Sequence, residues 1–402
     1  MMWMQHAVSG SLTQRIVLGL GLLALTACLD ATSNDGTGRQ GPAPEADTVT
    51  SERLVARVEL VTRGLRYPWG LAFLPDGRAL VTERVGQLRI LDGTQLSPPI
   101  GGLPDNLVAR GQGGLLGVAV SPDFGEDRLI YLAYSGRGPG GLGTEVARAR
   151  LVEQRSGPVR LADLEVVFAA QPKTRGGNHF GGQLLFHPDG TLFVTLGDRY
   201  HAMEQAQSLQ DHLGTVVRIN PDGSVPADNP FVDRADARAE IYSYGHRNVQ
   251  GIALWPDGTV FTHEHGPRGG DELNRLKPGT NYGWPRITYG IDYSGAIISD
   301  ETARPGMHQP LVYWDPSIAP SGMAAFRADG ASPLEGSLFI GALAGRKLVG
   351  VTLDDSGRQV VAKSELLRGE LGRIRAVVMG QDGHLYLLTD EANGGVYRVE
   401  LG

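Results

Sequence analysis

Six times along the chain a short apolar strand enters a Pro-Asp-Gly-type turn and leaves it as an alternating strand. The copies are LAFLPDGRALVTE, VAVSPDF with LIYLAYS, LLFHPDGTLFVTLGD, IALWPDGTVFTHE, SPLEGSLFIGAL and VVMGQDGHLYLLTD, at Pro75, Pro122, Pro188, Pro256, Glu335 and Asp382. Asp-Gly between two apolar runs is a strong hairpin signal, because the turn needs residues that tolerate positive φ. The copies stand about 47 to 80 residues apart, uneven because loops are inserted between them. A glycine content of 57, about twice the average usage, fits many tight turns. Helical periodicity is scarce, with MEQAQSLQDHLG the best short candidate, and NPDG at Asn220 reads as a loop turn.

Radial repetition of β-meanders leaves only short, protected edges, so six units predict an all-β, six-bladed propeller of four-stranded antiparallel blades. The pattern alone also leaves a sandwich or a solenoid open. ARVELVTRGL near the start and VYRVEL at the end can share one blade and close the ring. A propeller carries its site on the central axis, at one face, on loops from several blades. Function must then be sought in dispersed residues.

The ends of the chain and its charge bound its surroundings. Cys28 is the sole cysteine, so no intrachain disulfide can form. It closes LTAC after the apolar run IVLGLGLLAL, of signal-peptide length and too short to span a membrane. This junction resembles the lipobox of bacterial lipoproteins. It implies a signal peptide over 1–27, a membrane anchor through a lipid on Cys28 and a periplasmic address in the cell envelope. Leu29 rather than aspartate follows, which favours the outer membrane. Residues 28–50 are polar and rich in Pro and Gly, a flexible tether before a single domain at 51–402. A net charge of −7, with no basic stripe, excludes nucleic acid as a partner.

Within the third copy, GGNHFGG sets His179 between two glycine pairs, and Asp198 ends the same hairpin in TLGD. The flanks of a hairpin lie side by side, so His179 can act as a base with Asp198 as its orienting partner. Packing within a turn is the other reading. YSYGHRNVQG puts Arg247 and Asn248 on one loop, a pair suited to a planar, carboxylated, carbonyl-bearing ligand. THEHGPRGGDELN crowds carbonyls at Gly266 and Pro267 with carboxylates at Glu264, Asp271 and Glu272, hard oxygen ligands that suit calcium without EF-hand spacing. GRIRAV presents Arg373 and Arg375 at strand spacing, costly on one face unless an anion sits between them.

Together YPWGLAFLPDG, GQGGLLGVAVSPDF, NHFGGQLLFHPDGTLFVTLGD, YSYGHRNVQG, HEHGPRGGDELN, NYGWP and RIRAV resemble the soluble pyrroloquinoline-quinone (PQQ)-dependent sugar dehydrogenases, in the branch of the bacterial aldose sugar dehydrogenases. The resemblance runs from about Arg57 to the end. It implies PQQ and calcium as cofactors and oxidation of an aldose at C1 to the lactone. His179 would be the base, supported by Asp198, with hydride passing to the C5 carbonyl of the quinone. Gln112 matches a quinone and substrate contact, and Arg247 and Asn248 the pair at the quinone's edge. Gly266 and Pro267 match the carbonyls of the bridging calcium. Glu272 and Tyr282 match ligands of a structural calcium, with Asp271 beside them. Tyr293 and Ala319, Pro320 and Ser321 match loop positions beside the cofactor, and Arg373 and Arg375 the arginines near its carboxylates.

Departures bear on specificity. Ala344 stands where many members carry a quinone-contacting lysine, leaving Arg346 or Lys347 to reach that place. Asn178 stands where the glucose enzyme has an aspartate before the base, and Gln183 where family members often carry arginine, so glucose preference does not transfer. The sugar, the electron acceptor and the choice of monomer or homodimer stay open. The competing functions are a non-catalytic ligand-binding propeller and a calcium-dependent lactonase. The lack of a Gly-x-Gly-x-x-Gly turn opening a βαβ unit argues against a nicotinamide enzyme.

Overall fold

The computed structural model describes residues 56–402 apart from 154–156 and 327–333, so the expected signal peptide, Cys28 and the tether lie outside the described residues. All six expected hairpins form the first two strands of a sheet. The sheets begin at Pro68–Phe73, Leu115–Val120, Leu184–Phe186, Val249–Leu254, Pro320–Ala325 and Ile374–Met379. These first strands neighbour one another in sequence order, and the sixth touches the first. That contact closes a ring and sets aside the sandwich and the solenoid. The architecture is a six-bladed propeller.

Closure uses both ends of the described chain. Ala56–Leu65 pairs antiparallel with Gly394–Leu401 as the outer strand of the sixth blade, with Val58 opposite Val399. Blade three departs from four strands by adding Thr280–Asn281, parallel to Ile241–Tyr244. The helical candidate is a 3₁₀ segment at Met203–Gln207, and Asn220 accepts from Gly223 N–H in the expected loop turn.

Buried apolar side chains gather between blades. Leu80, Leu88 and Ile90 of blade one meet Leu115, Ile130 and Leu132 of blade two, and Phe339 and Leu348 of blade five meet Ile374, Leu385 and Leu387 of blade six. Each sheet thus buries both faces against its neighbours, which holds the ring rigid.

The same repeat decides where the site forms. The Asp-Gly turns sit at one end of the ring; in the first, Gly77 takes φ 88° and its N–H reaches Leu74 O at 3.0 Å. In an antiparallel hairpin, the start of the first strand and the end of the second therefore meet at the other end. Gln112, His179, Arg247, Ala319 and Arg373 all precede a first strand. Arg84, Asp198, His265 and Asp390 all follow a second strand.

Candidate active site

His179 stands in the left-handed region at φ 51°, where a non-glycine residue is uncommon and must be held by its surroundings. Its backbone N–H donates to Gln112 Oε1 at 2.8 Å, and its Nδ1 lies 2.7 Å from Asp198 Oδ1. Asp198 is buried. Its Oδ1 also accepts from Tyr200 N–H at 2.7 Å, and its Oδ2 from Trp284 Nε1 at 2.8 Å. A carboxylate accepts, so Nδ1 carries the proton and Nε2 keeps its lone pair, with no hydrogen-bond partner for Nε2 among the described residues. Burial pushes the His179 ring below its ordinary value, outweighing the Asp198 bond that raises it, and Arg247 lowers it further. Burial alone would raise the Asp198 carboxyl, but His179, Arg247 and the Tyr200 N–H hold it down. The pair is a neutral imidazole on an ionised carboxylate, the state a general base needs.

The glycine pairs serve backbone approach. A Cβ on Gly181, at φ 62°, would stand 2.6 Å from Leu196 N and Cα and collide with Thr195 O. Across the other pair, Gln112 N–H donates to Gly177 O at 2.7 Å, so two loops run backbone against backbone. Gly181→Ala is expected to cost roughly 2–5 kcal/mol from left-handed strain and overpacking, read as a lowered urea midpoint. An unchanged midpoint contradicts this account of the loop.

Arg247 and Asn248 are aimed by their neighbours. Arg247 donates from Nη1 to Gly266 O at 2.6 Å and His265 O at 3.2 Å, and its guanidinium lies 5.3 Å over the Trp284 ring. Asn248 Oδ1 accepts from Gly181 N–H at 3.1 Å, tying this loop to the His179 loop. The Gly266 carbonyl, expected to face calcium, is here shared with Arg247.

The acidic residues divide into two roles. Asp271, offered by the sequence as a metal ligand, accepts from Gly266 N–H, Ser317 Oγ, Ile318 N–H and Ala319 N–H at 2.7–2.9 Å. It clasps two loops, and burial pushes its carboxyl up to about 6. Glu272 pairs in register with Glu264 on the next strand, and Asn274 Nδ2 bridges them at 3.1 and 3.4 Å. Burial first and the Glu264 charge second drive the Glu272 carboxyl well above the carboxylate range. Both acids line a hollow of about 10 Å³, the size of one water, and Asn274 Oδ1 is buried without a partner. That donor set fits a hard cation. The Tyr282 hydroxyl is used by Arg275 O and Lys277 N–H, which leaves its carbonyl for such an ion. Among the described residues no group of three or more His, Cys, Asp or Glu forms a metal cluster.

Beside Gln112 opens a cavity of about 340 Å³. Arg373 and Arg375 converge there, but the anion between them is Asp390, at 3.3 and 3.7 Å. Arg84 approaches the same carboxylate at 3.6 Å. Three guanidiniums thus face one carboxylate. Arg84 Nε, Arg375 Nε and Asp390 Oδ1 are buried without hydrogen-bond partners, and burial lowers Arg375 to about 10. Uncompensated buried charge is costly, so the cavity fits a polyanionic ligand such as a tricarboxylated quinone.

Ala319 and Leu343 line this cavity; Ser321 Oγ bonds Ile374 O and the Pro320 carbonyl accepts from His265, so both hold the wall. Lys347 pairs with Glu365 at 2.5 Å and Arg346 is exposed, so neither lines the cavity. Arg84 does line it. Tyr293 is 59% exposed. Arg84, Asp390, His265, Gln250 and Trp284 were absent from the expected site. The repeat held a signal for two of them: Arg84 and Asp390 come just after the end of a second strand that carries a threonine near its end, as Asp198 does, in VTER, LLTD and VTLGD.

Comparison with known proteins bears on the same residues. A family model described as Glucose / Sorbosone dehydrogenase matches residues 65–398. The aldose sugar dehydrogenase YliI of Escherichia coli is 43% identical over 348 residues, covering 85% of this chain and 92% of that protein. The crystal structure of the soluble Escherichia coli aldose sugar dehydrogenase in its apo-form superposes with a TM-score of 0.81 at 42% identity, over 86% of this chain and 99% of that one. The PQQ-bound form of an aldose sugar dehydrogenase from Streptomyces coelicolor gives 0.73 at 30% identity, over 87% and 99%.

Proposed function

The chain belongs to the glucose/sorbosone dehydrogenase family, and from that premise we propose that it oxidises aldose sugars at C1 to the lactone with PQQ and calcium. The observation that carries this reading is the His179–Asp198 dyad beside a cavity with more guanidinium than carboxylate charge. When bound, the quinone supplies the hydride acceptor at its C5 carbonyl and calcium the Lewis acid that polarises it.

The chain's own groups do the rest. Nε2 of His179 takes the proton of the C1 hydroxyl as hydride leaves C1, so the sugar loses two electrons and two hydrogens. Asp198 stabilises the imidazolium that forms and keeps the ring oriented, itself anchored by Trp284. Arg84, Arg375 and Arg373 would hold carboxylates of the cofactor, and Arg247 and Asn248 its edge. Gly266 and Pro267 would hold the calcium at that edge, and Glu264, Glu272 and the Tyr282 carbonyl a second ion.

An imidazole works as a base only when neutral. Because burial lowers the His179 ring, the acid limb of kcat/KM against pH is expected below the ordinary imidazole value of about 6.5. A limb at or above that value contradicts the assignment. Chelation should abolish turnover, and added calcium should restore it. Reconstitution tests the whole reading: apoprotein with PQQ and calcium should reduce a dye with aldoses, and with neither component alone. Absence of PQQ binding to the parent protein ends the proposal.

A further inference from the structure

We infer that Tyr200 is a specificity-determining residue, its exposed ring the wall against which an aldopyranose with equatorial hydroxyls rests a C–H face beside His179; this rests on the dehydrogenase reading above. The residue is 47% exposed, yet its ring packs edge-to-face against the His179 imidazole, with ring centres 5.3 Å apart and planes at 76°. Tyr67, another exposed tyrosine, lies instead under the Arg84 guanidinium at 4.9 Å. Among the described residues only the Tyr200 N–H is hydrogen-bonded, to Asp198 Oδ1, and its hydroxyl has no partner.

The backbone holds the ring there against its own preference. Arg199 and Tyr200 stand in succession in the left-handed region, at φ 59° and 72°, which residues with a Cβ visit rarely and as a rule singly. Such strain persists where the surroundings impose it, and it gathers at ligand sites. The surroundings here belong to the base. Arg199 is buried, donates from Nη2 to Gly176 O at 3.1 Å and from Nη1 to Asn178 O, and lies 3.5 Å over the Phe180 ring. Asp198 N–H donates to Arg247 O at 2.8 Å. The strained pair is thus clamped to the His179 loop on both sides, and what it presents to the open side is an aromatic face.

An aromatic face takes apolar surface. The C1 hydrogen of a β-pyranose leaves from one face of the sugar, which frees the opposite face for the tyrosine. On glucose and xylose that face shows axial C–H at C2 and C4. Mannose puts an axial hydroxyl there at C2, and galactose at C4.

Two variants of the full chain decide it. Tyr200→Gly keeps the N–H that Asp198 needs and suits the positive φ, so its melting temperature should stay within about 2 °C of the parent. Once reconstituted, it should show a KM for glucose raised about tenfold with kcat within about threefold, the signature of lost uniform binding. The parent should favour glucose and xylose over mannose and galactose in KM, and Tyr200→Gly should lose that preference. Tyr200→Phe should keep the parental values, because the ring makes the contact and the hydroxyl does not. An unchanged KM in Tyr200→Gly, a fall in kcat alone, or a Phe variant as impaired as the Gly variant overturns the proposal. So does a parent that treats the four sugars alike, or a melting temperature that drops with the ring. A parent that oxidises no aldose with PQQ and calcium sinks the dehydrogenase reading, and the role of Tyr200 with it.

Discussion

A His179→Ala protein is expected to bind PQQ with parental affinity and to oxidise aldoses about 10²–10⁴-fold more slowly, the usual contribution of a positioned base. The affinity should hold because the cation-rich cavity is built from Arg84, Arg373 and Arg375 around Asp390, none of which bonds the imidazole. The rate should fall because no other side chain among the described residues is hydrogen-bonded at Nε2 to take over the proton transfer. Asp198→Asn should lose a comparable part of the rate. An amide that presents its N–H to Nδ1 favours the tautomer in which Nε2 carries the proton, and Trp284 Nε1 loses a charged acceptor. Measuring kcat and the quinone dissociation constant in both variants separates catalysis from binding. A His179→Ala enzyme within tenfold of the parent contradicts the assignment of the base.

Asp271→Ala is expected to be the most destabilising single change among the site's acids. It orphans the Gly266 and Ile318 N–H groups and the Ser317 hydroxyl, each worth about 1–3 kcal/mol when buried without a partner, while Ala319 N–H keeps Ser317 Oγ at 3.2 Å. Relief of burying the carboxylate offsets part of this, since burial already pushes that carboxyl up to about 6. A net loss of about 3 kcal/mol follows, visible as a lower urea midpoint. Cofactor affinity should fall with it, because the clasp joins the Gly266 loop to the Ala319 loop. Added calcium should not restore the midpoint. If calcium does restore it, Asp271 is a metal ligand rather than a clasp.

The fold was legible because its information is local. Five of the six hairpins advertise their turn by Pro-Asp or Asp-Gly, and the pairing of Val58 with Val399 follows once a ring must close. The dyad was legible for the same reason, since His179 and Asp198 flank a single hairpin. What stayed hidden depends on closure of the ring. Arg84 and Asp390 meet only because the last blade docks on the first, and Arg375 finds Gln250 across 125 residues. Strand spacing put Arg373 and Arg375 on one face and called for an anion. The strand instead begins at Ile374, with a register shift before Ala376, and the chain supplies the anion itself. Asp271 was read as a metal ligand because oxygen ligands can be counted in a sequence. The donors that surround it are backbone N–H groups, which every non-proline residue carries and no motif marks.

The most direct measurement is a crystal structure of the reconstituted protein with calcium, PQQ and an aldose soaked into the reduced form. The account predicts the quinone in the cavity between Arg84, Arg375 and Gln112, with His179 Nε2 within hydrogen-bond reach of the C1 hydroxyl. A quinone bound elsewhere, or a sugar whose C1 lies beyond reach of that nitrogen, contradicts it.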